Sequence, residues 1–187
     1  MATIFPTMNF LMVDFEKTPG HCAKKFANLK LKMRAILLTP GKMKKDWFAE
    51  AERDFSSRLA RFCDFQIVCT KAEKVTKKSN PATLRSQECV AMSEKIQESD
   101  FTVALDAAGQ QFSCSQFTKL LQDLQHSGKR IVFAVGGCNG LNQEFAASSN
   151  LKMSLGKMTL TQDLARVVLL ENLFRGFCVL RGLPFDR

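Results

Sequence analysis

The sequence predicts an α/β protein in which helices cover both faces of a mostly parallel β-sheet. Short apolar stretches alternate along the chain with longer segments whose apolar residues recur at helical spacing, which is the order expected of strand-helix-strand units. Several of the short stretches, such as RIVFAVGG at 130–137, are apolar at consecutive positions. Such runs are typical of parallel strands that are buried on both faces.

Each element of this alternation has its own signal. We predict strands at 34–39, 65–70, 101–106, 130–137 and 151–155, and helices at about 44–62, 83–98, 114–126, 142–148 and 161–180. The pair Pro40-Gly41 predicts a turn after the first strand, and Ser127-Gly128 ends the third helix. The segment AAGQQ at 107–111 is predicted to be a turn, and the lysine-rich segment 71–81 an exposed loop.

Residues 1–32 differ from the rest and are predicted to form an N-terminal extension to a domain at 33–187. Their short apolar patches are interrupted by Pro6, Pro19 and Gly20 and are followed by lysines. Two interpretations remain open for this segment, a targeting peptide or a flexible basic arm.

The composition bounds the class of protein. With 187 residues, of which 45% are hydrophobic and 24% charged, the chain can bury a sizeable core. No uncharged apolar stretch reaches the roughly 18 residues that a membrane span requires, so a soluble protein is expected. Seven cysteines without a C-x-x-C pair, and only two histidines, predict reduced thiols in an intracellular compartment and no metal site.

The positive charge is concentrated in the first part of the chain. The net charge is +9, and residues 1–80 hold 16 lysines and arginines against 8 acidic residues, while residues 81–187 hold 11 against 10. A solvated basic surface and a phosphate-rich partner such as RNA both explain this pattern.

The last helix is apolar around almost its whole circumference, so it must be buried on more than one side. A subunit interface and a central core helix are the two interpretations. The apolar residues are Leu164, Val167, Val168, Leu169, Leu170, Leu173, Phe174, Phe177, Val179 and Leu180.

Three glycine-containing loops are expected at the carboxyl ends of strands, where open α/β sheets bind ligands. They are residues 106–110, 136–140 and 156–161. The stretch IVFAVGGCNGL at 131–141 lacks the lysine of a phosphate-binding G-x-x-x-x-G-K-[ST] loop and the spacing of a G-x-G-x-x-G dinucleotide motif. Cys138 would need a neighbouring base to act as a nucleophile, and His21 and His126 are both distant in sequence, so no catalytic cysteine is expected.

Three segments together resemble the RlmH family of SPOUT methyltransferases. They are IVFAVGGCNGL, VALDAAGQQFSCSQF at 103–117 and LKMSLGKMTLTQDLARVVLLENLFRGFCVLRGLPF at 151–185. The resemblance extends over about residues 33–187. It implies a SPOUT-type α/β fold with a trefoil knot in about 101–187, and a homodimer formed through the knot.

The resemblance also implies an activity, the S-adenosylmethionine-dependent methylation of N3 of a pseudouridine in large-subunit ribosomal RNA. An alternative is a catalytically reduced homologue that binds the ribosome as an assembly factor, and a more generic one is an enzyme that binds a small nucleotide. The expected compartment is the cytoplasm if the chain is bacterial, with the mitochondrial matrix as the alternative.

Carried over to matching positions, the resemblance implies ten cofactor-binding residues. These are Leu105, Asp106, Gly136, Gly137, Gly156, Lys157, Met158, Thr159, Leu160 and Thr161. Leu105, Met158 and Leu160 would form an apolar slot for adenine, although ordinary core packing also explains them. A side chain at Gly137 is expected to block the cofactor and leave the fold intact.

The catalytic residues are less well defined by the resemblance. Where the family has a Pro-His pair this chain has Thr161-Gln162, and where the family ends in a Tyr-His tail it has Phe185-Asp186. Asp186 and Arg175 are the remaining candidates. Arg175 lies nine residues after Arg166, on the opposite side of the helix, so the two could share a site only across a dimer; Glu171, four residues before Arg175, also offers it a surface ion pair.

Overall fold

The computed structural model describes residues 32–43, 45–73, 76 and 79–184. Five strands alternate with five helices along this part of the chain, as predicted. In order they are β1 (Arg34–Pro40), α1 (Asp46–Leu59), β2 (Asp64–Thr70), α2 (Pro81–Ser93), β3 (Phe101–Gln111), α3 (Cys114–Ser127), β4 (Arg130–Ala134), α4 (Gln143–Ser148), β5 (Leu151–Ser154) and α5 (Gln162–Leu180).

The strands form one sheet in the order β2-β1-β4-β3-β5, and every pairing among the described strands is parallel. Alternate residues of each strand face opposite sides. In β1, Ala35 and Leu37 belong to a large core with α1, α3 and α5, whereas Ile36 and Leu38 belong to a smaller core with α2 and α4. The predicted class, an α/β sheet covered on both faces, is confirmed.

Three of the helices begin at an N-cap residue whose polar side chain accepts a hydrogen bond from the first turn. The Asn80 side chain accepts a hydrogen bond from Ala82 N–H, with Pro81 at the first turn of α2. Ser113 and Gln116 form a reciprocal capping box on α3, and Asn142 caps α4. These caps satisfy backbone N–H groups that have no partner within the helix.

The prediction of a turn at 107–111 is wrong, because β3 continues to Gln111. Its register with β5 shifts between Leu105 and Gln110, so the intervening residues form a bulge and pairing then resumes. A Cβ atom at Gly109 would lie 2.7 Å from backbone atoms of Lys152 and Met153. Glycine therefore allows the two backbones to meet where a side chain would separate them.

The final helix serves as a core helix on one side only. Leu169, Leu170 and Leu173 are fully buried against α1 and α3, while Leu164 and Val179 are 37% and 45% exposed. No helix in the described part of the chain has the length and apolar character of a membrane span.

A buried arginine joins this helix to the start of the domain. Arg166 is 1% exposed, and its guanidinium donates to the Glu52 carboxylate of α1, with Nε 2.9 Å from Oε1. Its Nη1 also donates to the carbonyl oxygen of Gly41, at 3.3 Å. One side chain thus holds α5, α1 and the loop after β1 together.

A second contact shows the path of the chain between β5 and α5. Gln162 Nε2 donates to Thr39 Oγ1 at 2.9 Å and to the Pro40 carbonyl oxygen at 2.6 Å. Because β5 is an edge strand and β1 lies beyond β3 and β4, residues 155–161 must cross the carboxyl ends of those two strands. The knot and the domain boundaries stay predictions, and residues 1–31 lie outside the described residues.

Arg166→Met should destabilise the protein by about 3 kcal/mol, because it removes one partner of a buried ion pair and leaves the Glu52 carboxylate without its counter-charge. Urea unfolding measures this difference. The matched control is Arg58→Met, which removes a surface pair with Asp54 whose side chains are about half exposed, and it should cost less than about 1 kcal/mol. Equal losses in the two variants would contradict the anchoring role of Arg166.

Candidate functional site

A cleft of about 670 Å³ opens at the carboxyl edge of the sheet, where the three glycine-containing loops meet. Its size is within the range of about 300–1,000 Å³ that is usual for small-molecule sites. The loops after β1 and β2 complete its walls. It is lined by residues 40–42, 72–73, 105–107, 135–141, 153–156 and 158–163, with Glu88 and Ala165.

The structure brings nine of the ten predicted cofactor residues to this cleft, the exception being Lys157, which is exposed and does not line it. Met158 lines the cleft and is 82% exposed, so the core-packing interpretation is wrong for this residue. Leu105 is half-buried and both packs against the large core and lines the cleft. Leu160 is also half-buried.

The loop after β4 forms one wall as a tight turn. Gly140 N–H donates to the Gly137 carbonyl oxygen at 2.9 Å, and Gly140 has a φ of +74°, which side chains rarely tolerate. A Cβ atom at Gly136 would lie only 2.4–2.7 Å from backbone atoms of Gly140 and Leu141. Gly136 is therefore required by the loop itself, whatever the cleft binds.

Gly137 lies against an acidic side chain that the sequence analysis missed. Glu88 of α2 is 5% exposed, lines the cleft and accepts a hydrogen bond from Glu73 N–H at 3.3 Å. A Cβ atom at Gly137 would lie 2.2 Å from Glu88 Oε2. A side chain at Gly137 would therefore displace the end of the Glu88 side chain, and the expectation that such a substitution blocks the cofactor and leaves the fold intact stays a prediction. The sequence signal for Glu88 is its position one helical turn before Met92, which places an acidic side chain on the buried side of α2.

The charge of the cleft is opposite to that of the whole protein. Four carboxylates line it, from Glu73, Glu88, Asp106 and Asp163, and the only basic residue in the lining is Lys42. A concave site with this balance attracts cations and repels free phosphate. The geometry therefore favours a ligand with an apolar part, hydrogen-bonding groups for the loop backbones and a positive charge.

Cysteine chemistry does not account for the cleft. Cys138 lines it as a free thiol, but no histidine is among the lining residues, so no neighbouring imidazole can serve as its base. Burial raises the pKa of the Cys63 thiol to about 12, which keeps it protonated within the core. No group of three or more His, Cys, Asp or Glu side chains in the described part of the chain could hold a metal ion.

Of the two predicted catalytic residues, the structure describes only Arg175, which does not line this cleft. Arg175 donates to Glu171, with Nε 2.9 Å from Oε1, and it borders a small groove between α3 and α5. Asp186 lies outside the described residues. At the position of the family's histidine, Gln162 has a structural role, since its amide is used to hold the end of β1.

A family profile described as "Predicted SPOUT methyltransferase" matches residues 33–185 of the chain. Similar curated proteins carry the name "Ribosomal RNA large subunit methyltransferase H". Those from Streptococcus gordonii and Ligilactobacillus salivarius are each 33% identical over 159 residues, which is 83% of this chain and 100% of the relative. The protein of that name from Clostridium beijerinckii is 30% identical over the same length.

Two solved structures share the fold at low sequence identity. A probable methylase family protein from Haemophilus influenzae gives a TM-score of 0.53 at 12% identity, covering 81% of this chain and 69% of its own. A probable methyltransferase from Bordetella pertussis gives 0.52 at 11% identity, covering 80% and 99%. These similarities agree with the α/β sheet described above.

Gly136→Ala should destabilise the protein by about 2 kcal/mol, because the new methyl group overlaps backbone that cannot move away without opening the turn. Thermal or urea unfolding measures the loss. Gly156→Ala is the matched control in the opposite wall, because a Cβ atom there meets no other atom within 4 Å. Its stability should equal or slightly exceed that of the wild type, and a similar loss in both variants would contradict the described packing.

Proposed function

Because the chain belongs to the SPOUT methyltransferase family, we propose that it methylates N3 of a pseudouridine in large-subunit ribosomal RNA, with S-adenosylmethionine as methyl donor. The curated relatives are matched over their whole length and carry a ribosomal RNA methyltransferase name. The observation that carries the proposal is the acidic, glycine-lined cleft, which is formed by the loops that the family resemblance selects. The assembly-factor alternative has no support from these relatives.

The residues of the cleft fit this donor. S-adenosylmethionine supplies an activated methyl group on a positively charged sulfonium, and it carries an ammonium group, a ribose and an adenine. The carboxylates of the cleft suit positive charges and hydroxyl groups, and the half-buried Leu105 and Leu160 suit an adenine ring. At Gly136 a side chain would occupy the turn, so the backbone itself forms the wall.

We assign donor binding to the nine predicted residues that line the cleft, and we add Glu88. The backbones of 136–137 and 156–161 would hydrogen-bond the adenine edge, as glycine-rich walls allow. Glu88 reaches the same wall as Gly137, and its Oε1 is already oriented by Glu73 N–H. Lys157 is exposed and would contact RNA outside the cleft rather than the donor.

The acceptor base must lose a proton from N3 and must be presented outside a helix. Within one chain Arg175 is separate from the cleft, so we propose that Arg175 of the partner subunit reaches the RNA or the cleft in a homodimer. The face of α5 that carries Leu164 and Val179 is exposed in the single chain and would be covered in that dimer. Asp186, in the tail, is a second candidate contact.

The substrate is proposed to be RNA within an assembled large subunit or ribosome, because a domain of this size offers little surface for reading sequence. The protein would therefore act where those ribosomes are, in the cytoplasm of a bacterium or, as an alternative, in the mitochondrial matrix.

Purified protein should transfer label from radioactive S-adenosylmethionine to ribosomes that lack the modification. Gly156→Val should weaken donor binding, measured by calorimetry, about tenfold or more with little effect on unfolding, because Gly156 lines the cleft and a Cβ atom there meets no other atom within 4 Å. Arg175→Met should lower kcat about 100-fold at unchanged donor affinity, as expected for loss of an orienting contact.

Arg58→Met is the matched control for Arg175→Met, since both arginines are surface residues paired with an acid one helical turn away. Ribosome binding without donor binding or methyl transfer would overturn the proposal in favour of the assembly factor. In that case, combining Phe185→Tyr with Asp186→His would test whether the altered tail is responsible.

A further inference from the structure

The only tryptophan of the chain is unusually exposed. Trp47 lies in the first turn of α1, and its side chain is 61% exposed. Its ring stacks on the half-buried Phe48, with ring centroids 3.6 Å apart and an angle of 28° between the planes. The phenyl ring therefore supports the indole from one side. A large aromatic ring that is stacked on a neighbour and still exposed to solvent is typical of a binding surface.

Three exposed lysines lie in the loops after β1 and β2, the two loops that contribute residues 40–42 and 72–73 to the cleft. Lys42 lines the cleft, and Lys45 immediately precedes α1. Lys71 follows β2, and its loop lies against the loop after β1, because Gly41 N–H donates to the Thr70 carbonyl oxygen at 2.9 Å. Lys42, Lys45 and Lys71 are called the basic rim below.

The acidic groups near the basic rim do not neutralise its positive charge. Glu73 is 3.6 Å from Lys71, but the Lys71 side chain is 83% exposed and remains available to a further anion. Asp46 is in the first turn of α1, where it complements the helix dipole. The carboxylates of the cleft are less exposed than the rim, since Glu88 is buried and the other three are half-buried while all three lysines are exposed.

We propose that Trp47 and the basic rim bind single-stranded RNA beside the cleft, with an unpaired base next to the target nucleotide stacked on Trp47. Bases stack on aromatic side chains independently of sequence, and lysines at the margin contact the phosphates of the same strand. The proposal rests on the proposed function, because it takes ribosomal RNA as the substrate. Charge complementarity favours RNA over a protein partner, because the loops that lead to and adjoin the Trp47 turn expose three lysines.

The kinetic test uses Trp47→Phe, Trp47→Leu and Trp47→Ala with ribosomes that lack the modification. The leucine and alanine variants should raise KM for ribosomes about tenfold, whereas phenylalanine, which still stacks, should stay within about threefold of the wild type. Donor affinity and kcat should be unchanged in all three. A leucine variant with wild-type KM would indicate an apolar protein contact, and dissociation of a dimer in that variant would indicate a second copy; either result would overturn stacking.

A binding test works without methyl transfer. Because Trp47 is the only tryptophan, fluorescence reports on it alone, and single-stranded oligouridylate should quench it more strongly than a duplex of equal length. Combining Lys45→Ala with Lys71→Ala should weaken oligouridylate binding about tenfold and reduce its salt dependence, whereas the control pair Lys95→Ala with Lys129→Ala, exposed residues remote from the rim, should not.

Absence of oligouridylate binding, or binding without quenching, would overturn the inference. If the wild type binds and is quenched but transfers no methyl group to ribosomes, the proposed function fails and the RNA surface stands. If methyl transfer occurs without quenching of Trp47, the proposed function stands and the RNA-binding role of Trp47 fails.

Discussion

The ion pair between Arg166 and Glu52 holds together the parts of the chain on which the cleft depends. The Arg166 side chain is almost completely removed from water, and its guanidinium also donates to the carbonyl oxygen of Gly41. Burying a charge is costly, and here all three guanidinium nitrogens donate a hydrogen bond, two of them to the opposite charge of Glu52. Here the partners lie on α1 and on the loop after β1, and with Gln162 they determine where the last helix begins. The wall formed by 155–161 is therefore positioned at both ends.

The distribution of charge agrees with the two proposed binding roles. The carboxylates of the cleft would suit the proposed cationic donor, whereas the basic rim would suit the proposed RNA. A uniformly basic surface would attract RNA phosphates into the cleft itself, where they would compete with the donor. The net charge of +9 conceals this separation, because 27 lysines and arginines together outnumber the 18 acidic residues.

The order and type of the elements could be predicted from the sequence, because hydrophobic spacing and capping residues are local signals. The candidate site could be predicted only through the three segments that carry the family resemblance. Nine of the ten residues predicted from them line the cleft, whereas Glu88 lies in a helix outside those segments. Arg166 was visible as a charged residue on an apolar helix, but its partner Glu52 is 114 positions away and carries no local signal. The bulge in β3 was missed for the same reason, since Gly109 is required by the backbone of β5 and not by its own neighbours.

The contacts of Gln162 with Thr39 and Pro40 join residues more than 120 positions apart in the chain. Such pairs close long loops, which costs conformational entropy before any contact compensates for it. During synthesis the first strand emerges well before the helix that it must meet, so the sheet can be assembled early while its carboxyl edge remains open. The contacts that close the cleft would then form after those of the sheet, because they need the C-terminal helix. Partial unfolding should reverse this order, so donor binding would protect the protein mainly against opening of its C-terminal segment.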